Sequence, residues 1–359
     1  MILSKAVIAR EPTQPLTVSW SLEDVDVYPP GDGEVLVEMR ASGICHTDIV
    51  LTSMPQGEFG VSYPKVPGHE VLNLVHIYPP LLGGYIFKVA LAECGTGAGI
   101  VRGVGKNVHV AAVGDPVLLS FHACFSCEQC KKGHPAYCNS FAQENYAGRG
   151  QLMSVRESGE GLWARFFGQS SFAHYSVVSE ASIVNAKELL HHDNELELFA
   201  PLGCGFQTGM GAVQNIAMAG TAETVMIIGL GAVGMGALMT AKIRNCKAII
   251  AVDRVKARLE LAKELGASHV LDTSDSSFAT LDEATRILFA EGVSVVIETT
   301  GVPGLIEQGI QSTTARGKVV LVGVPPSNYT LGVKVIEHIN MQAELTLSAM
   351  RRLQITNWH

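Results

Sequence analysis

The chain has 359 residues, which is long for a single hydrophobic core and favours two domains. Its net charge of −8, without any polybasic run, argues against nucleic acid or an anionic membrane as a partner. Residues 1–7 read as an opening strand rather than a signal peptide, so we expect a cytoplasmic protein whose eight cysteines are thiols or metal ligands.

The first half of the chain is β-rich, and residues 34–40 form its clearest half-buried strand. A thiol, an imidazole, a hydroxyl and a carboxylate then follow one another: Cys45, His46, Thr47 and Asp48. Taken alone, this stretch is also compatible with a capped helix N-terminus and a buried cysteine. After a glycine turn, His69 and Glu70 add a second imidazole and carboxylate. With Cys45 and a later cysteine they supply the mixed sulfur and nitrogen ligands that suit zinc.

The next stretch interrupts this pattern. Residues 71–96 are apolar, contain proline and glycine pairs, and have neither helical nor alternating periodicity. They are too broken by proline, glycine and charge to form a membrane span.

Four cysteines follow within fifteen residues, with the spacing CxxCxxCx7C: Cys124, Cys127, Cys130 and Cys138. This spacing is typical of a closed tetrahedral zinc site with a structural role. Disulfides are the alternative, and a reducing compartment disfavours them. A further cysteine, Cys204, lies just before the second half of the chain.

The second half alternates strands and helices, which predicts a doubly wound parallel sheet. A short apolar strand, residues 224–228, leads into Gly229, Gly231 and Gly234 and then a helix. The first glycine permits the tight turn, the second permits close approach of a pyrophosphate, and the third lets the helix pack on the strand. Asp253 ends the next strand, where its carboxylate would bind the ribose hydroxyls and favour NAD over NADP. The neighbouring Arg254 weakens this preference slightly.

Together these residues resemble the zinc-dependent medium-chain alcohol dehydrogenases, and within them the aryl or benzyl alcohol type. The matching stretches are residues 43–48, 68–70, 133–138, 167–173, 201–205 and 298–303, in addition to the glycine motif. The resemblance implies a β-rich GroES-like catalytic domain over residues 1–205 and a Rossmann NAD-binding domain over 206–330. It also implies two zinc ions per chain and, by analogy, a homodimer or homotetramer.

The same resemblance implies a role for individual residues. The catalytic zinc would be bound by Cys45, His69 and Cys204, with Glu70 as a nearby or exchanging ligand. Asp48 would orient His69, and Thr47 would relay the alcohol proton. His46, Thr208 and Arg258 would contact the cofactor at its pyrophosphate, nicotinamide and adenosine parts. The reaction would be hydride transfer between a primary alcohol, aromatic or allylic, and NAD, with an intermediate of a biosynthetic pathway as one possible substrate.

Three departures from the family pattern set limits on this interpretation. Val50 stands where many relatives have a histidine that completes the proton relay. Residues 71–96 look like an insertion directly after Glu70, and residues 341–359 match nothing in the pattern, so we expect 331–359 to be a truncated or altered C-terminal segment. The alternative function is therefore a catalytically impaired relative that binds nucleotide and zinc. A zinc-free quinone reductase is disfavoured, because it would not need both sets of cysteines.

Overall fold

The computed structural model describes residues 1–14, 17–44, 46–69, 97–192, 195–275, 278, 280–326, 328–332 and 344–347. The chain divides into two compact units, Met1–Cys204 and Gly205–His359. In the part of the chain that is described, no helix is long and apolar enough to cross a bilayer.

The first unit is built from short antiparallel strands. They are Ile2–Arg10 (β1), Ser19–Val27 (β2), Glu34–Ala41 (β3), Ala98–Val104 (β4), Pro116–Leu119 (β5), Arg149–Val155 (β6), Gly161–Ala164 (β7), Tyr175–Ser179 (β8) and Ile183–Asn185 (β9). One sheet has the order β1-β2-β6-β7 and the other β8-β3-β4-β5-β9. Burial alternates along the first strand, as expected for a strand with one face in the core. Ala6 and Ile8 are buried, while Leu3 and Lys5 on the opposite face are exposed.

Helices in the first unit are short and connect the strands. They are His46–Thr52 (α1), Glu128–Lys131 (α2) and Glu195–Phe199 (α3). The first begins immediately after Cys45, and the second lies within the four-cysteine segment, where sulfur ligands rather than apolar area are available to hold the chain.

The predicted insertion, residues 71–96, lies outside the described residues, but the residues on either side of it lie near each other. The Gly68 carbonyl accepts a hydrogen bond from the Ser171 N–H at 3.0 Å, and a Cβ built on Gly97 would lie 2.8 Å from the Ser171 Cβ. The Gly97 N–H donates to Gln169 Oε1 at 3.2 Å. The chain therefore returns at Gly97 to the same segment that it contacts at Gly68, and β4 begins at the next residue.

The second unit is an open parallel sheet with helices between its strands. In chain order its elements are Gly205–Gly211 (α4), Thr224–Ile228 (β10), Ala232–Ile243 (α5), Ala248–Asp253 (β11), Lys256–Glu264 (α6), His269–Asp272 (β12), Leu281–Leu288 (α7), Val293–Glu298 (β13), Pro303–Gln311 (α8), Thr313–Leu321 (β14) and Glu344–Leu347 (β15). The strand order is β12-β11-β10-β13-β14-β15, and every pairing is parallel. This is the doubly wound order of dinucleotide-binding domains, so the expected fold class is confirmed.

One part of this sheet differs from what the sequence predicts, which is a helix over Leu305–Thr313 followed by a strand over Lys318–Val322. The helix ends at Gln311, and Thr313 already pairs with Val293, so β14 begins five residues before Lys318. The segment beyond residue 330, which we expect to be a truncated or altered C-terminal segment, contributes one described strand. This strand, β15, pairs with β14 over Lys318–Leu321 as the sixth strand of the order above.

Candidate active site

A buried carboxylate and a buried imidazole from distant parts of the chain meet in the first unit. Asp48 lies in the first turn of α1, and its Oδ1 is 2.9 Å from His69 Nδ1. The same oxygen accepts a hydrogen bond from the Gly68 N–H at 3.1 Å. Since an ionised carboxylate only accepts, the imidazole presents Nδ1–H to Asp48 and carries its lone pair on Nε2. This is the tautomer that a metal-binding histidine with a carboxylate partner adopts.

Aromatic rings fix the plane of this imidazole. The His69 ring stacks on Phe167 with centroids 3.9 Å apart and an interplanar angle of 16°, and Phe166 approaches it edge-on at 5.3 Å. Phe167 in turn contacts Tyr146 at 5.5 Å and Phe141 at 6.2 Å. His69 therefore rests on the same apolar cluster that supports the four-cysteine segment.

Lys65 is fully buried next to this cluster, and the sequence analysis did not single it out. Its ammonium lies 4.6 Å from the centroid of the Phe166 ring and donates a hydrogen bond to the Tyr146 carbonyl. Burial lowers the pKa of Lys65 to about 7, and attraction to Asp48 opposes this shift. A lysine four residues before His69 carries no sequence signal for burial, since lysine is among the residues most often exposed.

The four cysteines predicted to hold a structural metal converge. The Sγ atoms of Cys124, Cys127, Cys130 and Cys138 all lie within 4.8 Å of one another. Zinc–sulfur bonds of about 2.3 Å in a tetrahedron place sulfur atoms about 3.8 Å apart, so a small contraction suffices for zinc binding. The set of four thiols, in this geometry, fits a structural zinc ion.

Backbone donors prepare two of these thiols for metal binding. The Cys127 N–H points at Cys124 Sγ at 3.4 Å, and the Asn139 N–H points at Cys127 Sγ at 3.5 Å. Hydrogen bonds, first of all from Ser126, lower the pKa of Cys124 to about 6, and those from the Asn139 amide lower the pKa of Cys127. Burial raises the pKa of Cys130 and Cys138.

The glycine loop of the second unit has the geometry that a pyrophosphate requires. Gly229 has φ +91°, and Gly234 is so close to it that a Cβ would lie 1.8 Å from the Gly229 carbonyl oxygen. A Cβ on Gly231, in contrast, would meet no atom within 4 Å. The loop is thus tight at its first and third glycines and open at the second, next to the N-terminus of α5, which fits a dinucleotide phosphate.

Asp253 ends β11 beside this loop. Its Oδ2 accepts a hydrogen bond from the Leu230 N–H at 2.7 Å, and its Oδ1 accepts from the N–H groups of Arg254 and Val255. Arg258 Nη1 lies 3.6 Å from Oδ2. The structure therefore brings together Asp253, Arg258 and the glycine loop, three features that the sequence assigned to cofactor binding.

The remaining predicted site residues are placed individually. His46 is exposed at the start of α1, Thr47 is half-buried beside it, and Thr208 is buried in α4. Cys204 is half-buried at the end of the first unit. Two predicted ligands, Cys45 and Glu70, lie outside the described residues. The ligand set of the catalytic zinc stays a prediction, supported by the orientation of His69.

Comparison with known proteins identifies the family. A model described as "Alcohol dehydrogenase GroES-like domain" matches residues 31–80 and 75–188, and one described as "Zinc-binding dehydrogenase" matches residues 232–356. The chain is 32% identical to a geraniol dehydrogenase of Castellaniella defragrans, over 96% of this chain and 82% of that protein. This chain belongs to the zinc-dependent medium-chain alcohol dehydrogenase family.

Solved structures of this family agree with the fold. The crystal structure of benzyl alcohol dehydrogenase from Acinetobacter calcoaceticus is 31% identical, with a TM-score of 0.80, and the match covers 100% of this chain and 87% of that one. A zinc-binding alcohol dehydrogenase domain protein from Burkholderia ambifaria is 33% identical, also with a TM-score of 0.80, over 98% and 85% of the two chains. The chain is accordingly an NAD-dependent zinc oxidoreductase by family, with zinc and NAD as its cofactors.

The family matches bear on two of the departures noted in the sequence. The GroES-like match is split into two segments that meet at residues 75–80, within the stretch that we regard as an insertion. The zinc-binding dehydrogenase match continues through residue 356. Our expectation that residues 341–359 correspond to nothing in the family is therefore wrong for most of that segment.

Proposed function

We propose that this dehydrogenase oxidises primary allylic or benzylic alcohols, or reduces the matching aldehydes, with NAD(H). The named relatives support this substrate class, because geraniol is an allylic and benzyl alcohol a benzylic primary alcohol. The observation that carries the catalytic part of the proposal is the buried Asp48–His69 pair, 2.9 Å apart. Such a pair has little purpose in an apolar core other than to present an oriented imidazole.

In the proposed reaction the residues of the protein bind zinc and the cofactor, orient His69 and relay the alcohol proton. Zinc bound by Cys45, His69 and Cys204, with Glu70 nearby, supplies a Lewis acid, and NAD⁺ supplies the hydride acceptor. Asp48 holds His69 in one tautomer. Thr47 would relay the alcohol proton, its hydroxyl accepting that proton as it releases its own. Val50 has no group that could take the released proton, which would pass to water.

The cofactor is held by the second unit. The glycine loop receives the pyrophosphate, and Asp253 receives the ribose hydroxyls. From the family resemblance, Arg258 would lie on the adenosine side and Thr208 beside the nicotinamide, while His46, a residue of the first unit, would contact the pyrophosphate. The negative charge of Asp253 disfavours a 2′-phosphate, which is why we propose NAD rather than NADP.

A second candidate function is a relative that binds nucleotide and one zinc ion without turnover. The observation that favours it is the split in the GroES-like match next to His69 and Glu70. A displacement of about 1 Å in a ligand can cost about 100-fold in rate.

The experiment is an assay of NAD⁺ reduction with geraniol, benzyl alcohol and ethanol. We expect kcat/KM for the first two to exceed that for ethanol by at least about 10-fold, because a pocket for a large apolar group binds ethanol poorly. Asp48→Asn should lower kcat by about 10-fold to 100-fold, since it removes the charge that orients His69. Asp24→Asn, in an exposed ion pair with Lys5, is the matched control and should leave kcat unchanged. Equal rates with ethanol would refute the substrate class, and no turnover would favour the second candidate.

A further inference from the structure

The glycine loop assigned to the cofactor is hydrogen-bonded to a turn that follows the neighbouring strand. Strand β13 pairs with β10 and ends at Glu298, opposite Ile228. The next residue, Thr299, reaches across to the loop. Its N–H donates to the Ile228 carbonyl at 2.9 Å, and its hydroxyl lies 2.9 Å from the same oxygen and 3.0 Å from the Gly229 carbonyl oxygen.

A buried carboxylate holds this turn in place. Glu298 is fully buried, and its Oε1 accepts hydrogen bonds from the Thr300 N–H at 2.7 Å and from the Thr300 hydroxyl. The Gly301 N–H lies 3.1 Å from each carboxylate oxygen. A buried acid with several donors is a rigid anchor, because breaking any of these bonds would leave a buried polar group without a partner.

The threonines also close off the space behind the first glycine. A Cβ on Gly229 would lie 2.6 Å from both Thr299 Oγ1 and Thr300 Cγ2. The carbonyl of Gly229 is directed at Thr299, while the open side of the loop is at Gly231. The peptide group between Gly229 and Leu230 is thus held at both ends, its carbonyl by the Thr299 hydroxyl and its N–H by Asp253 Oδ2.

We propose that Thr299 is a positioning residue for the dinucleotide. Its hydroxyl proton, shared between the Ile228 and Gly229 carbonyls, holds the Gly229 carbonyl away from the phosphate site, so that the N–H groups of the loop from Gly231 onward are presented to the pyrophosphate. Carbonyl oxygens turned toward the phosphates would repel them, whereas N–H groups at a helix N-terminus attract them. Thr299 reaches the loop through the Ile228 and Gly229 carbonyls, so we expect its effect on affinity for the pyrophosphate.

The test compares ligands with and without a pyrophosphate. The dissociation constants of NAD⁺, ADP-ribose and adenosine are measured by calorimetry or competition for the wild-type protein and for Thr299→Val and Thr299→Ser. Valine keeps the branched shape and removes the hydroxyl, while serine keeps the hydroxyl. We expect Thr299→Val to weaken NAD⁺ and ADP-ribose by about 10-fold and adenosine by less than about 2-fold. Thr299→Ser should restore wild-type affinity.

A second buried threonine provides the control. Thr285 in α7 is fully buried, and its hydroxyl has no hydrogen-bond partner among the described residues. Thr285→Val should leave all three affinities unchanged. Should Thr299→Val fail to fold, Thr299→Ala serves in its place with the same expected pattern.

The outcomes separate this proposal from the proposed function, on whose cofactor assignment it rests. Equal weakening of NAD⁺ and adenosine, or unchanged affinity for NAD⁺, would overturn the role of Thr299. Absence of NAD⁺ binding to the wild-type protein would overturn both the role and the cofactor assignment. Binding with the expected pattern but without alcohol turnover would support Thr299 and refute only the dehydrogenase activity.

Discussion

Lys65 has its amino group in the interior of the first unit. Among the described residues, this group contacts the Tyr146 carbonyl and the Phe166 ring. Burial is the main reason that its pKa is lowered to about 7. The unfolded chain returns the group to an ordinary pKa of about 10.4. Between these values the unfolded state binds more protons than the folded state, so stability must rise with pH. Below about pH 7 both states are protonated, and the cost of burying the charge is fully present.

This gives a prediction for Lys65→Met, which keeps the length of the side chain and removes the charge. From pH 7 to pH 9 the free energy of unfolding of the wild-type protein should rise by about 2 kcal/mol relative to that of the variant. Urea unfolding of the zinc-loaded proteins at several pH values measures it. Lys187→Met, at an exposed position, is the control and should follow the wild-type curve. Parallel curves for the wild type and Lys65→Met would show that Lys65 does not have a lowered pKa.

The four-cysteine segment and His69 contact the same apolar cluster. A metal ion that orders this segment would therefore also support the position of His69. Cys138 is buried in the cluster with Phe141 and Phe167, and Phe167 stacks on His69. Cys138→Ser should lose one zinc ion per chain and several degrees of thermal stability, because a structural zinc site supplies folding free energy to a segment with little core. Zinc analysis and thermal unfolding measure both effects.

Cys246→Ser is the matched control for this prediction. Cys246 is half-buried against the core of the second unit, outside the four-cysteine group, and burial raises the pKa of its thiol. We expect full zinc content in this variant. Full zinc content in Cys138→Ser would contradict the assignment of these four cysteines to one zinc site.

The sequence predicted those elements whose signal is local. The strand 224–228, the glycine turn and Asp253 follow one another within thirty residues, and the structure places them as expected. The spacing of the four cysteines was likewise sufficient to predict their metal site. The start of β14 was missed, because residues 312–317 read Ser-Thr-Thr-Ala-Arg-Gly and carry no apolar alternation that would indicate a strand.

Contacts between residues that are far apart in the sequence could not be predicted from it. His69 and Asp48 are 21 residues apart, and Thr299 is 70 residues from Gly229. Only resemblance to a family suggested the first pair, and nothing suggested the second. The burial of Lys65 could not be predicted from the sequence either. It results from contacts with the Phe166 ring and the Tyr146 carbonyl, which lie far from Lys65 along the chain.

For the whole molecule, the decisive question is whether residues 71–96 leave the catalytic ligands able to bind zinc. The residues on either side of this stretch support that they do, since Gly68 and Gly97 both contact the segment 169–172. The entropic cost of an inserted segment grows only with the logarithm of its length, so an insertion of this size can be tolerated. A variant that joins Glu70 to Gly97 should accordingly have the zinc content of the full chain.

The measurement that tests the account most directly is the zinc content per chain of the purified full-length protein by mass spectrometry. A zinc alcohol dehydrogenase with both sites intact holds two ions per chain, and this is the result that we predict. One ion per chain in the full protein and two in the variant without residues 71–96 would contradict it. The chain would then be a member of the family that keeps its structural zinc and its nucleotide site and has lost the catalytic metal.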